Sequence, residues 1–381
     1  MAEDFFRLLL WRIMDFVAPC LLGLEGLVSN EFKHLKFNNV RAENGRVLFS
    51  GDYETMIRAN ICSHYADRIL ILLKEFNALS FEDLFQGVLS IPFNEYIGID
   101  DQFPVKGGTL NSQLSSVPAC QKIIKKAIVE NLKKTYDTEW FEETGIMYKI
   151  RFLINKDKVS IMLDTTGQGL NKRGYRALSN EAPIKETLAA AMVDLSHVRN
   201  NHYVVDPFCG SGTILIEAAM KAMNIKPGIN RNFAFEDWPF INDELVSEIK
   251  SEYKEMENRD VEFLGHGYDI DESALEIARN NAKIAGVDDK LSFSVRDIND
   301  YEENNEFVTV ITNPPYGERL MEEKEVKDLY RLMGRKFKML PHHSYTVITP
   351  DEDFEKLFKN KARKKRKLYN GMIKCNVYMF Y

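Results

Sequence analysis

The stretch VVDPFCGSGTILIEAA, Val204–Ala219, decides the fold class. Its apolar start predicts a short strand ending at Asp206. A glycine turn follows and opens directly into a helix from Thr213. Gly210 and Gly212 let the backbone approach a ligand closely, and the helix N-terminus beyond them favours a carboxylate. Two common phosphate-binding patterns fail. Leu215 stands where a dinucleotide GxGxxG would need its third glycine, and no lysine follows Gly212 as a P-loop requires. A bare turn of this kind is weak evidence, because a tight structural turn reads the same way, so its flanks carry weight.

Outward from that turn, short apolar strands alternate with helices. Strand Phe263–Asp269 precedes a helix over Glu272–Ala285. Strands Leu291–Val295 and Val308–Thr312 come next, then a helix near Val326–Leu340 and strand Tyr345–Thr349. This rhythm predicts an α/β unit with a parallel, doubly wound sheet. Asn224–Asp260 reads as an insertion with a helix of its own. In GYDIDESALEIARNNAKIAG, Asp269 ends its strand, where a carboxylate can accept both hydroxyls of a ribose; Ile270 follows it. Asp271 reads more simply as a helix cap. Asp297, followed by Ile298, ends the next strand and can accept from an adenine amino group.

The strongest chemical signal is Asn313-Pro314-Pro315-Tyr316, directly after the strand VTVIT. Two prolines stiffen the loop and leave it short of N–H donors. What the loop presents are acceptors, the Asn313 side-chain oxygen and the Pro314 carbonyl. An exocyclic amino group on a base has two hydrogens to place and a lone pair delocalised into its ring. Acceptors that draw both hydrogens favour a pyramidal nitrogen aimed at an electrophile. Tyr316 adds an aromatic face on which an extruded base stacks, worth ~1–3 kcal/mol, and extrusion costs least in unpaired RNA.

The first half reads as α+β. Phe16–Phe49 predicts strand, helix, strand, with turn chemistry at Glu43-Asn44-Gly45, and Tyr53–Leu72 predicts a helix. SVPACQKIIKKAIVENLKKTY predicts another, with Ala119, Ile123, Ile124, Ala127, Ile128 and Leu132 on one face. Lys122, Lys125, Lys126, Lys133 and Lys134 lie mostly off that face. Tyr148–Ile154 and Lys158–Leu163 predict a hairpin around Asn155-Lys156-Asp157. A second basic run, Lys359–Lys367, has seven Lys or Arg in nine positions and includes Lys364, Lys365 and Arg366. Either run can be a solvated face or a phosphate-binding surface.

Bulk composition narrows the classes. The 381 residues carry a formal charge of −7, with 45% hydrophobic and 28% charged residues. The chain is not globally basic, so nucleic-acid binding has to come from local patches. Five widely spaced cysteines form no CxxC pair, which supports neither a zinc site nor a disulfide framework and fits a reducing cytoplasm. In FFRLLLWRIMDFVAPCLLGLE, Arg7, Arg12 and Asp15 interrupt the apolar run, and Glu3 and Asp4 stand where a signal peptide would be basic. A signal peptide and a membrane span are not expected. Residues 1–13 read as a poorly ordered extension.

On DPFCGSG and NPPY, the second half resembles a class I, Rossmann-like methyltransferase with a seven-stranded sheet, of the amino-methylating type. From about Phe16 onward the chain resembles the THUMP-domain bacterial 23S ribosomal RNA guanine-N2 methyltransferases. GLNKRGYR (Gly169–Arg176), APIKETLAAAMV (Ala182–Val193) and KLYNGMIKC (Lys367–Cys375) extend the match. The resemblance implies an N-terminal ferredoxin-like region over 1–59, an RNA-binding THUMP domain over 60–165 and a catalytic domain over 166–381. It implies S-adenosylmethionine as cofactor, held by Asp206, Phe208, Cys209, Gly210, Gly212, Thr213, Asp269, Ile270, Asp297, Ile298 and Asn313. Asn313, Pro314, Pro315 and Tyr316 would form the catalytic loop. Lys122, Lys125, Lys126, Arg173, Arg176, Lys364, Lys365 and Arg366 would meet RNA, with Lys185 near the site. No metal and no membrane partner are expected. Cys209 sits in the cofactor turn rather than opposite the base, so it reads as a packed residue and not as the nucleophile of a C5-pyrimidine enzyme. Adenine N6 in DNA makes the same demands on NPPY and stays open as an alternative, as does an inert RNA-binding assembly factor.

Overall fold

Two seven-stranded sheets organise the chain in the computed structural model, which describes residues 13–176, 184–302, 305–316, 323–371 and 373–381. Residues 1–12, the bulk of the expected extension, lie outside them, as does the start of the segment from Ala182.

The first sheet opens with β1 (Met14–Pro19), α1 (Glu25–His34), β2 (Asn38–Glu43) and β3 (Arg46–Gly51). The expected turn joins β2 to β3. Helix α2 (Tyr53–Cys62) is shorter than the reading of Tyr53–Leu72, because Ser63 turns extended and Leu70 already belongs to strand β4 (Leu70–Asn77). Leu70 and Ile71 pair with both β1 and a later strand, and that pairing outcompetes helix continuation. Next are α3 (Phe81–Leu89), β5 (Val105–Leu110), α4 (Val117–Tyr136), β6 (Ile150–Asn155) and β7 (Lys158–Asp164). The sheet order β2-β3-β1-β4-β7-β6-β5 runs unbroken across residue 60. Along α4 the buried line is Cys120, Ile124, Ala127, Ile128 and Leu132; Ala119 and Ile123 are half-buried beside it.

The second sheet comprises α5 (Glu186–Leu195), β8 (Tyr203–Asp206), α6 (Thr213–Ala222), α7 (Asp243–Glu255), β9 (Leu264–Asp269), α8 (Glu272–Ala285), β10 (Leu291–Val295), β11 (Val308–Thr312), α9 (Glu323–Lys336), β12 (His343–Thr349), α10 (Phe354–Phe358), β13 (Lys364–Asn370) and β14 (Ile373–Phe380). Its order is β10-β9-β8-β11-β12-β14-β13. The expected fully parallel sheet holds from β10 to β12. β14 and β13 are antiparallel, and the end of the basic run, Lys364–Lys367, opens edge strand β13. The chain steps outward from β8 to β10, then returns to β11 on the other side of β8. That reversal opens a crevice at the strand ends, where ligands bind in open α/β sheets.

Helix ends follow local chemistry. Asp271 accepts from Ser273 N at 2.9 Å to start α8, and Gly286 ends it at φ +69°. The Asn224–Asp260 insertion braces the two halves. Glu252 on α7 pairs with Arg58 of α2 at 2.7 Å, Gly228 N donates to Ile61 O at 2.8 Å, and Trp238 stacks on Tyr148 with centroids 5.4 Å apart. One apolar core runs from the first sheet into the inner face of the second, and a separate one under α9 and α10 fills the outer face.

Candidate functional site

The acidic strand ends and the proline loop meet at one edge of the second sheet. Asp206 closes β8 and is 1% exposed. Its Oδ1 accepts from Phe208 N at 3.1 Å and from Thr312 Oγ1 at 2.7 Å. Thr312 is the last residue of β11, so this bond ties the glycine-turn strand to the residue immediately before Asn313. Asp269, at the end of the adjacent β9, accepts from Gly210 N at 2.9 Å and from Asp271 N at 3.0 Å. Arg296 N donates to the Asp269 carbonyl at 3.0 Å, bringing the end of β10 and Asp297 into the same row. Asp297 itself caps a short 3-10 turn through Asn299 N at 2.7 Å, with Ile298 buried beneath it. Ile270 is 72% exposed beside Asp269, an apolar surface at a polar edge.

The turn itself has room for a ligand on one side only. A Cβ placed on Gly210 would meet nothing within 4 Å, whereas one on Gly212 would press on Ala278 Cβ at 3.1 Å and on the Phe293 ring at 3.2 Å. Gly212 also sits at φ +79°. We expect Gly212→Ala to destabilise the protein by about 1–2 kcal/mol from the left-handed backbone, read as a lowered urea midpoint. An unchanged midpoint would contradict this account. Cys209 is buried, and burial raises its thiol well above the usual range, as befits a packing residue.

Burial also pushes the Asp206 carboxyl up, to about 7, against the lowering pull of the Thr312 hydroxyl. The sign follows by linkage. Between roughly pH 4 and pH 7 the unfolded chain gives up this proton and the folded chain keeps it. Asp206 therefore contributes stability at low pH that is lost as pH rises through that window. Urea melts from pH 4.5 to 8 should show Asp206→Asn removing part of the decline; parallel curves for the two proteins would refute it.

In the proline loop, Asn313 Oδ1 is buried and has no hydrogen-bond partner among the described residues. Buried acceptors are almost always satisfied, so this oxygen is set up for a donor from elsewhere. Pro314 is buried, and Pro315 and Tyr316 are half-buried. A second set of unmatched polar atoms lies behind the turn: Arg176 Nε, both Glu186 oxygens and Thr187 Oγ1. Arg176 reaches Thr213 Oγ1 at 2.6 Å and Glu186 at 3.4 Å, so these groups adjoin the N-terminus of α6. Arg176 and Glu186 pair with each other, and the atoms they leave without a hydrogen bond, with open space before Gly210, suit a ligand that carries both a carboxylate and an ammonium.

The expected RNA contacts are rearranged. Arg173 is 4% exposed; its guanidinium donates to the carbonyls of Leu170 at 2.8 Å and His64 at 2.6 Å and pairs with Glu217 at 3.4 Å. It ties the first half to α6 rather than facing solvent. Arg176 is likewise turned inward. Lys125 is held by Glu143 at 2.6 Å and lies over the Phe103 ring at 3.4 Å, leaving Lys122 and Lys126 as the exposed members on α4. Lys364 is exposed on β13, Lys365 pairs with Glu355, and Arg366 is half-buried. Glu217 and Tyr175, whose hydroxyl donates to Glu217 at 3.0 Å, were not singled out from sequence. The signal was a lone acid inside the apolar helix TILIEAA.

Among the described residues there is no group of three His, Cys, Asp or Glu arranged for a metal ion, and no helix long and apolar enough to cross a membrane.

Comparison with known proteins places the chain in a family. Residues 173–379 match the family described as RMKL-like, methyltransferase domain. Residues 15–70 match the RlmL ferredoxin-like domain, and residues 78–164 match the THUMP domain. YpsC of Bacillus subtilis (strain 168), a candidate RNA methyltransferase, is 42% identical over 367 residues, covering 96% of this chain and 95% of its own. A ribosomal RNA large subunit methyltransferase K/L from Psychromonas ingrahamii is 34% identical over 375 residues; the alignment takes in 95% of this chain and 49% of that longer protein. The crystal structure of SMU.472, a candidate methyltransferase complexed with SAH, superposes with a TM-score of 0.91 at 42% identity, over 97% of this chain and 98% of that one.

Proposed function

The chain belongs to the RMKL-like methyltransferase family, and from that premise we propose that it methylates the exocyclic N2 amino group of a guanine in large-subunit ribosomal RNA, in the cytoplasm. It is an S-adenosylmethionine-dependent methyltransferase. The observation that carries the choice of an amino-group acceptor is the buried, unpartnered Asn313 Oδ1, one residue beyond the Thr312–Asp206 bond. Ribosomal RNA as substrate is supported by the THUMP match and by the name of the K/L relative. The working units are an RNA-binding half, in which the ferredoxin-like region 1–59 and the THUMP domain 60–165 share helix α2 and one sheet, and a catalytic half over 166–381.

When bound, S-adenosylmethionine supplies a methyl group already activated on a sulfonium. The protein's task is alignment and exclusion of water. Asn313 Oδ1 and the Pro314 carbonyl accept the two amino hydrogens and turn the nitrogen lone pair out of the ring plane. Pro315 keeps the loop rigid, and Tyr316 supports the base. Asp269 holds the ribose, Asp297 and Ile298 border the adenine, Ile270 and Phe208 give it apolar surface, and Asp206, Cys209, Gly210, Gly212 and Thr213 shape the turn. Lys122, Lys126, Lys364 and Lys365 offer exposed charge to RNA phosphates.

The test is transfer of a tritiated methyl group to unmodified 23S ribosomal RNA transcript, to large-subunit precursors and to DNA, followed by mapping of the labelled nucleotide. N2-methylguanosine in the RNA is the expected product. Label in DNA, or on adenine N6, would overturn the proposal.

A further inference from the structure

The Tyr316 hydroxyl is tied down. Asn370 Nδ2 donates to it at 2.6 Å, and the Cys375 thiol lies 3.9 Å away. Both partners come from the β13–β14 hairpin, in which Asn370 pairs with Ile373 and Leu368 with Cys375. Because β14 runs antiparallel to β12, the tip of this hairpin emerges at the edge where β11 and β12 end. The turn begins with Gly371 at φ +62°, so Asn370 is the last paired residue before it. The Tyr316 ring packs against the main core, and burial raises its hydroxyl, keeping it neutral.

We propose that the β13–β14 hairpin sets the tilt of the Tyr316 ring, with Asn370 as the positioning residue for the base that stacks there. This rests on the reading of Tyr316 as the base platform. Rotation about χ1 swings the whole tyrosine ring and moves its far end most. The hydroxyl lies on the χ2 axis, so a hydrogen bond there leaves ring flips alone but restrains that swing and with it the tilt of the ring over the loop, and in-line transfer is sensitive to small displacements. The same hairpin bears Lys364, Lys365 and Arg366 on β13, seven paired positions hold it in register, and β13 abuts the first half, where Gly23 lies against the Lys367 carbonyl. A strand of RNA held along β13 and the platform for its extruded base then share one rigid element.

The proposal is tested by single-turnover methylation of in vitro transcribed 23S ribosomal RNA, with SAH binding measured by calorimetry, RNA binding by filter retention, and melting temperature. Asn370→Ala should slow transfer about tenfold, equivalent to about 1.4 kcal/mol, with SAH and RNA affinities unchanged. Tyr316→Phe should slow it equally, and the double variant should be no slower than either one. Asn370→Asp should recover the rate, because its carboxylate accepts from the tyrosine hydroxyl. A wild-type rate in Asn370→Ala, or effects that multiply in the double variant, would overturn the assignment. If Asn370→Ala melts early, Tyr316→Phe decides alone: a wild-type rate there refutes the role. Tyr316→Ala isolates the premise, since full activity in that variant sinks the platform itself. Were no transcript methylated by the wild type, a crystal structure of Asn370→Ala still decides. A ring in its original tilt refutes positioning, and a displaced or multiply oriented ring supports it.

Discussion

Asn313→Ala is expected to lower turnover about 10²–10³-fold, the usual effect of removing one preorganised polar contact from a reacting centre, while SAH binds with unchanged affinity. The reason lies in the state of Oδ1 in the free protein, buried and without a partner among the described residues. A buried acceptor without a donor costs about 1–3 kcal/mol, so its removal should leave the melting temperature equal or higher. Loss of activity together with retained or improved stability is the signature of a group kept for substrate. The neighbouring Thr312–Asp206 bond is untouched by the substitution, which is why cofactor affinity survives. Full activity in Asn313→Ala would end the assignment of the loop. A collapse in melting temperature would mean that the side chain is structural.

The largest stability effect belongs to Arg173→Ala. Arg173 and Glu217 have side chains 1% exposed and pair at 3.4 Å. Breaking a buried pair by removing one partner costs about 3–5 kcal/mol, because the other charge is left uncompensated. Among the described residues Glu217 would keep only the Tyr175 hydroxyl, and the carbonyls of Leu170 and His64 would lose this donor. Denaturant unfolding should show the loss directly. Glu217→Ala should cost a similar amount, and the double variant less than the sum. A surface role predicts the opposite pattern: stability within about 0.5 kcal/mol of wild type and weaker RNA binding. That outcome would return Arg173 to the RNA-binding set.

Much of the catalytic half was legible because its signals are local. The strand at Tyr203–Asp206, the helix from Thr213, the helix Glu272–Ala285 and the strands Leu291–Val295 and Val308–Thr312 were read to the residue; Asp206, Gly212, Asp271 and Gly286 mark the ends of the first three, and the last two are short alternating or β-branched runs. The failures have equally physical causes. Leu70–Leu72 is an apolar run that fits helix or strand, and its pairing partners, in β1 on one side and β7 on the other, are both far away in sequence. The basic run was read for its charge alone, as a solvated face or a phosphate-binding surface, yet its pairing with β14 makes its end, Lys364–Lys367, a strand. Phe81–Leu89 drew no assignment, although Ser80 and Asp83 form a capping box.

Strand rhythm was enough to name the α/β class, because it depends on neighbours a few positions apart, and the methyl donor came from the resemblance carried by DPFCGSG and NPPY. Which charges face water was settled by folding. Arg173 and Lys125 look like any other cations in the chain; burial against Glu217 in one case, and against Phe103 and Glu143 in the other, turned them into struts. The bond between Asn370 and Tyr316 spans 54 residues and exists because an antiparallel hairpin closes a parallel sheet. Solvation and long-range pairing are properties of the packed molecule, and no window of sequence contains them.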